Sequence, residues 1–425
     1  PALGHASEGS HLSSMSTNAK SSNIAQCVPI SVGVVGAGVS GLSLAWGLAN
    51  TGCKVTVFDS GEAGRGATWA AAGMLAAGVE AEPGEESLWA LNRRAQELWP
   101  AFRRELEQAS GDDIGYRDQG TLVVATNRDD LEQLRFSYEF QRRLGVRLTW
   151  LNGLDARRME PYLRPGIAGA VFSPNDHQVD NRRLAAALKR AALKAGVRLH
   201  ENCRVERLVI EAGKACGLMV DSKVQGFDRI VIATGAWARD LAGLPESARP
   251  PVRPVKGQML ALQMDPEQPL LRHVVWAPKL YLVPRDDGRL IIGATVEEKG
   301  FDDTLTAGGM LALLEGAWRA VPGIEELPIA ETWVGHRPTS RDDAPIFGPV
   351  REVAGLHMAT GHHRNGILLT PVTAEAMTHS VIEGSLPDWA AEFSLDRFAR
   401  SPHERDKAEG STKGTLAPIG SGSGI

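Results

Sequence analysis

The chain has 425 residues, of which 43% are apolar and 23% charged, a balance typical of a globular protein with roughly two or three domains. This composition excludes disorder of the whole chain. The formal net charge of −5, with both signs interspersed, provides no basic stripe, so nucleic acid is not expected as a partner. The longest uncharged stretch near the N-terminus, residues 66–79, is too short to span a membrane.

The first regular pattern runs from residue 30 to Asp59 and has the order strand, glycine turn, helix, strand. Gly36, Gly38 and Gly41 have the G-x-G-x-x-G spacing of a dinucleotide-binding unit. The first glycine permits a tight turn, the second lets the backbone approach a pyrophosphate, and the third brings the helix close to the strand. Asp59 would accept hydrogen bonds from ribose hydroxyls and would repel a 2′-phosphate, which argues against NADP. The alternative is a glycine-rich turn without a ligand.

Beyond this unit, hydrophobic periodicity predicts both helices and strands in alternation. Helices are expected over 86–110, 129–144, 181–195 and 367–383, and strands over 121–125, 197–200, 204–210, 230–233 and 356–359, with β-rich sequence over 252–295. The strands over 197–200, 204–210 and 230–233 are expected to join the sheet of the dinucleotide-binding unit. Asp180 is the expected N-terminal cap of the third helix and Gly196 its stop, whereas Pro371 would interrupt the last helix.

This alternation predicts an α/β fold in which one domain is assembled from separate stretches of the chain. We expect a discontinuous, Rossmann-like dinucleotide-binding domain with an inserted, β-rich α+β substrate domain. The expected boundaries are 28–112, 174–250 and 335–400 for the dinucleotide-binding domain, and 113–173 and 251–334 for the substrate domain. Residues 1–27 and 401–425 are rich in small and polar residues and are expected to be disordered tails.

Six motifs resemble those of the glycine oxidases, in the D-amino-acid oxidase group of FAD-dependent amine oxidoreductases. They are GAGVSG, GATWAAAGML, LYLVPR, IIGATVE, WVGHRP and ATGHHRNGILLTP, of which the last is the most specific, and together they extend over the ordered chain. The resemblance implies that the dinucleotide is FAD and that the first domain is an FAD-binding domain. Some relatives attach the flavin to a cysteine near the last motif. Because no cysteine follows Cys216, we expect non-covalent FAD.

The resemblance also implies which residues contact FAD. They are Gly36, Gly38, Val39, Ser40 and Gly41 at the pyrophosphate, Asp59 and Ser60 at the adenosine ribose, Ala67 and Thr68 along the phosphates, Ala72, Gly73 and Met74 at the isoalloxazine, Val205 at the adenine, Gly235, and His362, His363, Arg364, Asn365, Gly366, Ile367 and Leu368 around the far edge of the flavin ring. A helix that begins in the last segment would direct its N-terminus at the flavin and stabilise the reduced, negatively charged form.

The substrate side is expected to consist of Arg337, Tyr281 and Arg364. The planar guanidinium of Arg337 suits bidentate binding of a carboxylate, Tyr281 would donate to the same group, and Arg364 is the family's second substrate-side arginine. His336 is expected to be structural. No metal site is expected, because His362 and His363 have no third ligand at metal spacing.

The implied reaction is oxidation of glycine, sarcosine or a small D-amino acid to an imine, which hydrolyses to glyoxylate and ammonia, while molecular oxygen becomes hydrogen peroxide. The family suggests a role in making the thiazole of thiamine. The absence of C-x-x-C spacing favours reduced thiols and hence a cytoplasmic protein, which we expect to be a homo-oligomer. His363 and Val296 depart from the family pattern, which affects the substrate range. The alternatives are a D-amino-acid dehydrogenase with another electron acceptor and a flavin-binding protein without turnover.

Overall fold

The structure is a computed structural model that describes residues 29–399. The expected disordered tails, 1–27 and 401–425, lie outside the described residues. The α-helices are α1 (Val39–Asn50), α2 (Ala67–Ala70), α3 (Glu86–Ser110), α4 (Arg128–Arg143), α5 (Gly153–Met159), α6 (Asn181–Lys194), α7 (Ala307–Ala320) and α8 (Thr370–Glu383). The strands are β1 (Ser31–Val35), β2 (Lys54–Phe58), β3 (Met74–Leu75), β4 (Thr121–Ala125), β5 (Thr149–Asn152), β6 (Gly169–Ser173), β7 (His177–Gln178), β8 (Arg198–His200), β9 (Arg207–Glu211), β10 (Lys214–Val220), β11 (Lys223–Gly226), β12 (Arg229–Ile232), β13 (Arg253–Gln263), β14 (Val274–Ala277), β15 (Leu280–Pro284), β16 (Arg289–Gly293), β17 (Ile329–Thr339), β18 (Ile346–Pro349) and β19 (Leu356–Thr360).

A mostly parallel sheet carries the glycine turn. Its strand order is β18-β19-β12-β1-β2-β8, and only β18 is antiparallel to its neighbour. Helices α1, α3, α6 and α8 share a hydrophobic core with one face of this sheet. The other face packs against a small antiparallel sheet, β11-β10-β9, through residues such as Ile230, Ile232 and Leu218. Burial on both faces explains why these strands are almost continuously apolar.

A larger sheet has the order β17-β13-β16-β15-β14-β4-β6-β5 and is antiparallel except where β14 meets β4. One face packs on α5 and α7. The opposite face carries Met259, Val283 and Trp333 and contacts Ala70 and Ala72 from the first part of the chain. The protein is therefore an α/β fold in which a Rossmann-like domain faces a β-rich domain, as the sequence predicts.

The local helix signals agree with the structure. Helix α3 has the predicted bounds, and Gly111 follows it in a left-handed conformation (φ 80°). The Asp180 side chain accepts hydrogen bonds from the N–H groups of Arg182 and Arg183, and so caps α6. Such a cap contributes about 1 kcal/mol. Among residues 29–399, none of the helices combines the length and the hydropathy that crossing a bilayer requires.

Three details differ from the sequence-based expectations. The expected boundary between 334 and 335 falls inside β17, which pairs with β13 as far as Thr339 and so belongs entirely to the larger sheet. Strand β9 belongs to the small antiparallel sheet, because it pairs with β10 rather than with a parallel neighbour. Helix α8 begins at Thr370, not at 367, because Pro371 has no N–H and is accommodated only in the first turn.

Candidate active site

A cavity of about 910 Å³ lies between the carboxyl ends of the parallel strands and the inner face of the larger sheet. The glycine turn lines it from the side of the parallel sheet, and Tyr281 and Arg337 line it from the side of the larger sheet. All of the predicted cofactor and substrate residues line this cavity except Gly41, Asn365 and Leu368. The roles assigned to the lining residues stay predictions, because a position in the wall does not by itself show a contact with a ligand.

The glycine turn is shaped for close approach. Gly36 has a φ of 104°, and a Cβ there would lie 2.4 Å from the carbonyl oxygen of Ala233. A Cβ on Gly41 would lie 1.9 Å from the carbonyl oxygen of Gly36, so Gly41 serves the contact between helix and turn and stays outside the cavity. Both positions require glycine for steric reasons.

Helix α1 opens on this turn without a side-chain cap and with no acidic residue in its first turn. The N–H of Val39 donates to the Thr68 hydroxyl (3.0 Å), whereas the N–H groups of Ser40 and Gly41 have no acceptor among residues 29–399. A free helix N-terminus beside a glycine turn fits a pyrophosphate. The residues at this end therefore fit the dinucleotide that the motif predicts.

Asp59 holds the turn in place. One carboxylate oxygen accepts the N–H of Ala37 (2.7 Å), and the other accepts the N–H of Gly61 (2.9 Å). Each oxygen keeps a second lone pair, and Asp59 lines the cavity. Asp59 can therefore accept the predicted hydrogen bond from a ribose hydroxyl while it also holds the turn, a structural role that the sequence did not reveal.

A buried arginine supports the wall that is expected to face the isoalloxazine. Gly73 has a φ of 70°, and a Cβ there would lie 2.0 Å from the Val179 carbonyl oxygen. Arg285, 5% exposed, donates to the carbonyl oxygens of Ala72 (2.6 Å) and Val179 (2.8 Å). Burial lowers the pKa of Arg285 to about 10, so it remains charged at neutral pH. Its position in the LYLVPR motif was the only sequence signal.

The loop that precedes α8 is held by neutral histidines. The Nε2 of His362 lies 3.1 Å from the Thr373 hydroxyl, and burial lowers the pKa of His362 to about 4. His363 has a φ of 46° and places Nδ1 2.8 Å from the Thr339 hydroxyl. Burial, and then the nearby arginines, lower the pKa of His363 to about 3. Neither ring therefore carries charge near neutral pH.

Asn365 and Leu368 stabilise this loop from outside the cavity. The carbonyl oxygen of Leu368 accepts the indole N–H of Trp99 (2.7 Å), and that of Asn365 accepts the N–H of Leu369 (2.8 Å). The side-chain amide nitrogen of Asn365 is buried and has no partner among the described residues. Because α8 begins only at Thr370, its N-terminus lies beyond the segment that was expected to open it.

Arg337 lines the cavity from β17 of the larger sheet, whereas the glycine turn belongs to the parallel sheet. Its guanidinium covers Gly257, where a Cβ would lie 2.6 Å from Nη1, and Nη1 donates to the Thr295 carbonyl oxygen (3.1 Å). Among residues 29–399, no carboxylate forms a salt bridge with it. Burial raises the pKa of the neighbouring Tyr281, so its hydroxyl is protonated and able to donate. This end of the cavity offers an uncompensated positive charge.

Arg364 also lines the cavity, but its charge is compensated. Its Nε donates to Glu80 (2.9 Å), and its Nη2 donates to Glu85 (2.7 Å). Burial raises the pKa of Glu80 to about 7, although the adjacent Arg364 opposes that shift. A substrate carboxylate would have to compete with two internal ones, and its binding to Arg364 stays a prediction. No motif identified Glu80, whose partner is 284 residues away in sequence.

Comparisons with known proteins agree with this geometry. The family model described as FAD dependent oxidoreductase matches residues 31–380. The chain is 37% identical over 374 residues to a glycine oxidase of Geobacillus kaustophilus, covering 86% of this chain and 96% of that protein. It is 36% identical over 379 residues to the bifunctional protein ThiO/ThiG of Trichormus variabilis, of which it spans only 55%.

Among solved structures, the crystal structure of glycine oxidase from Geobacillus kaustophilus superimposes with a TM-score of 0.81 at 36% identity. The superposition covers 87% of this chain and all of that one. The same cofactor, FAD, is indicated by the family match, by the glycine turn and by the free helix N-terminus. The chain belongs to the family of FAD-dependent oxidoreductases.

Proposed function

We propose that this protein is an oxidase that deaminates glycine, and also sarcosine and small D-amino acids. The observation that carries the proposal is Arg337, which lines the cavity and whose charge has no carboxylate partner among the described residues. A cationic fork in a cavity wall fits a small molecule with one carboxylate. The similarity to glycine oxidases supports the choice of amino acid.

The residues around Arg337 would have different roles in binding the substrate. Arg337 would hold the carboxylate through its remaining N–H groups, and the protonated hydroxyl of Tyr281 would donate to the same group. Glu80 and Arg364 neutralise each other, so the second arginine adds little net attraction. Fixing the carboxylate fixes the α-carbon that carries the hydrogen to be lost, and most of the rate acceleration would come from this positioning.

The glycine turn and the segment from Ala72 to Met74 would hold FAD, which would supply the two-electron redox chemistry between the amino acid and oxygen. The overall reaction balances as glycine, water and oxygen giving glyoxylate, ammonia and hydrogen peroxide. The similarity to the bifunctional ThiO/ThiG protein supports a role in thiazole formation for thiamine. We also propose a homo-oligomer in the cytoplasm, which light scattering and cell fractionation would test.

The deciding experiment is a screen of amino acids against purified, FAD-loaded protein with peroxide detection. Glycine should bleach the flavin without oxygen, and peroxide should form when oxygen is admitted. Bleaching by glycine with peroxide formation far slower than transfer to an added quinone would instead indicate the dehydrogenase. A flavin that no amino acid bleaches would refute the proposal and would indicate a binding protein without turnover.

A further inference from the structure

Lys256 is a fully buried lysine on β13, with no exposed surface. Its ammonium group lies 2.5 Å from the carboxylate of Asp302 and 2.5 Å from the Thr304 carbonyl oxygen. The hydrogen bond from Lys256 lowers the pKa of Asp302, so this carboxylate is ionised at neutral pH. A buried lysine is costly unless it is paired, and both of these partners belong to a single segment of the chain.

This segment, residues 295–306, contributes Val296 to the lining of the cavity. The backbones of Lys256 and Glu297 pair through two hydrogen bonds, of 2.9 and 3.0 Å. Gln258 donates its backbone N–H to the Thr295 hydroxyl (2.8 Å) and its side-chain amide to Glu297 (2.7 Å). The 295–306 segment is therefore fastened to β13 by main chain and by a buried polar network.

The same segment orients Arg337, because the Thr295 carbonyl oxygen accepts Nη1 of the guanidinium. In the pairing of β13 with β17, Lys256 lies opposite His336, and Val255 lies opposite Arg337. Side chains alternate between the faces of a sheet, so Lys256 is on the face away from the Arg337 side chain. Lys256 cannot contact a ligand held by Arg337 and can act only through the segment.

We propose that Lys256 is a positioning residue that fastens the 295–306 segment and thereby sets the orientation of Arg337 for the substrate carboxylate. The inference rests on the proposed function for the identity of the substrate, but not for the binding of a carboxylate. Removing one partner of an ion pair is strongly destabilising where the remaining charge is buried, but the Asp302 side chain is 36% exposed and stays hydrated when Lys256 is replaced by an apolar residue of similar length. Replacement of Lys256 should therefore affect ligand binding more than it affects folding.

The test compares FAD-loaded wild type with Lys256→Met, which keeps an unbranched apolar side chain. Binding of glycolate, a simple carboxylate, is measured from the perturbation of the flavin absorbance, and glycine is followed by anaerobic stopped flow. The variant should bind both ligands about tenfold more weakly, since a small misplacement of a binding group has effects of that order or more. The limiting rate of flavin reduction by glycine should also fall, because the bound carboxylate positions the α-carbon, whereas the FAD content should stay unchanged.

Glu160→Gln is the matched control, because it alters a buried ionisable side chain, 1% exposed, that does not line the cavity. It should leave glycolate binding unchanged. Asp302→Asn serves where Lys256→Met fails to fold, since the Asp302 side chain is 36% exposed and tolerates change more readily. It should weaken glycolate binding in the same direction, by a smaller factor.

The outcomes separate the two proposals. If wild type binds glycolate but glycine does not bleach its flavin, the proposed function is refuted. The comparison of glycolate binding between wild type and Lys256→Met would still test the role of Lys256. Glycolate binding within twofold of wild type in Lys256→Met, or in Asp302→Asn where that variant must be used, would show that the segment does not position Arg337. An equal loss of glycolate binding in the Glu160→Gln control would show that Lys256→Met acts through general destabilisation, and this would overturn the inference.

Discussion

Removal of the Arg337 guanidinium should abolish useful turnover of amino acids and leave FAD bound. Arg337 lies on β17 of the larger sheet, whereas the glycine turn belongs to the parallel sheet, so the dinucleotide site should be unaffected by Arg337→Ala. A hydrogen bond to a charged group contributes about 1.5 to 3 kcal/mol, and a bidentate pair in a site with little water should reach the top of that range. Because about 1.4 kcal/mol corresponds to a factor of ten, kcat/KM for glycine should fall at least about a hundredfold.

Two further variants distinguish charge from position. Arg337→Lys keeps the charge but loses the planar fork, and should recover only part of the loss. Gly257→Ala keeps Arg337 intact, but its new Cβ would lie 2.6 Å from Nη1 and so must displace the guanidinium. Its kcat/KM for glycine should fall between those of wild type and Arg337→Ala.

The assay measures glycine and a small amine without a carboxylate across these variants, with flavin content determined in each preparation. The amine never uses the arginine, so its turnover should hardly change. If glycine turnover survives Arg337→Ala, or if that variant is colourless, Arg337 is not the carboxylate ligand. Arg364 would then be the better candidate, once freed from Glu80 and Glu85.

Three other predictions concern the pH response and the cofactor. Because burial raises the pKa of Glu80 from about 4.5 to about 7, its favourable contribution to folding is complete below pH 4.5 and is lost as the pH rises through 7. The free energy of unfolding of Glu80→Gln, relative to that of wild type, should therefore increase between pH 5 and pH 8 by an amount on the order of 3 kcal/mol, at 1.36 kcal/mol for each pKa unit. Thermal unfolding of both proteins measures this difference, and a difference that does not change with pH would contradict the prediction. Acid precipitation should release a yellow supernatant, and colour that stays with the protein would show covalent flavin. Gly36→Ala should lose most of its FAD, as judged by the ratio of flavin to protein absorbance, because its Cβ would lie 2.4 Å from the Ala233 carbonyl oxygen; full retention would mean that the turn tolerates a side chain.

The sequence predicted those parts of the fold whose determinants are local. The glycine spacing at Gly36 and the cap at Asp180 act within a few residues, and the elements they begin lie where they were expected. The end of β17 depends instead on pairing with β13, which is distant in sequence, whereas β9 joins the small sheet through a hairpin with β10, the next strand in the chain. No periodicity in a single strand contains that information. The start of α8 could have been predicted, since Pro371 restricts it to the first turn.

The same distinction applies to the candidate site. Motifs identified the glycine turn and Arg337, because a motif records which residue types occur together in sequence. They did not identify Glu80, Arg285 or Lys256, whose roles depend on partners on other elements. A charged residue in a sequence is usually exposed, and only the folded structure shows that these three are buried and what compensates each of them.

Arg337 and Arg364 were both expected on the substrate side, but they differ in whether a carboxylate of the protein balances their charge. Arg364 meets Glu80 and Glu85, so its charge is balanced within the protein. Arg337 meets a carbonyl oxygen and a phenol, and no carboxylate among residues 29–399. The substrate end therefore has room for one more negative charge. A ligand with one carboxylate and a neutral amine supplies that charge, whereas a dicarboxylate would leave its second charge facing Glu80. We expect small monocarboxylic amino acids to be favoured over acidic ones for this reason.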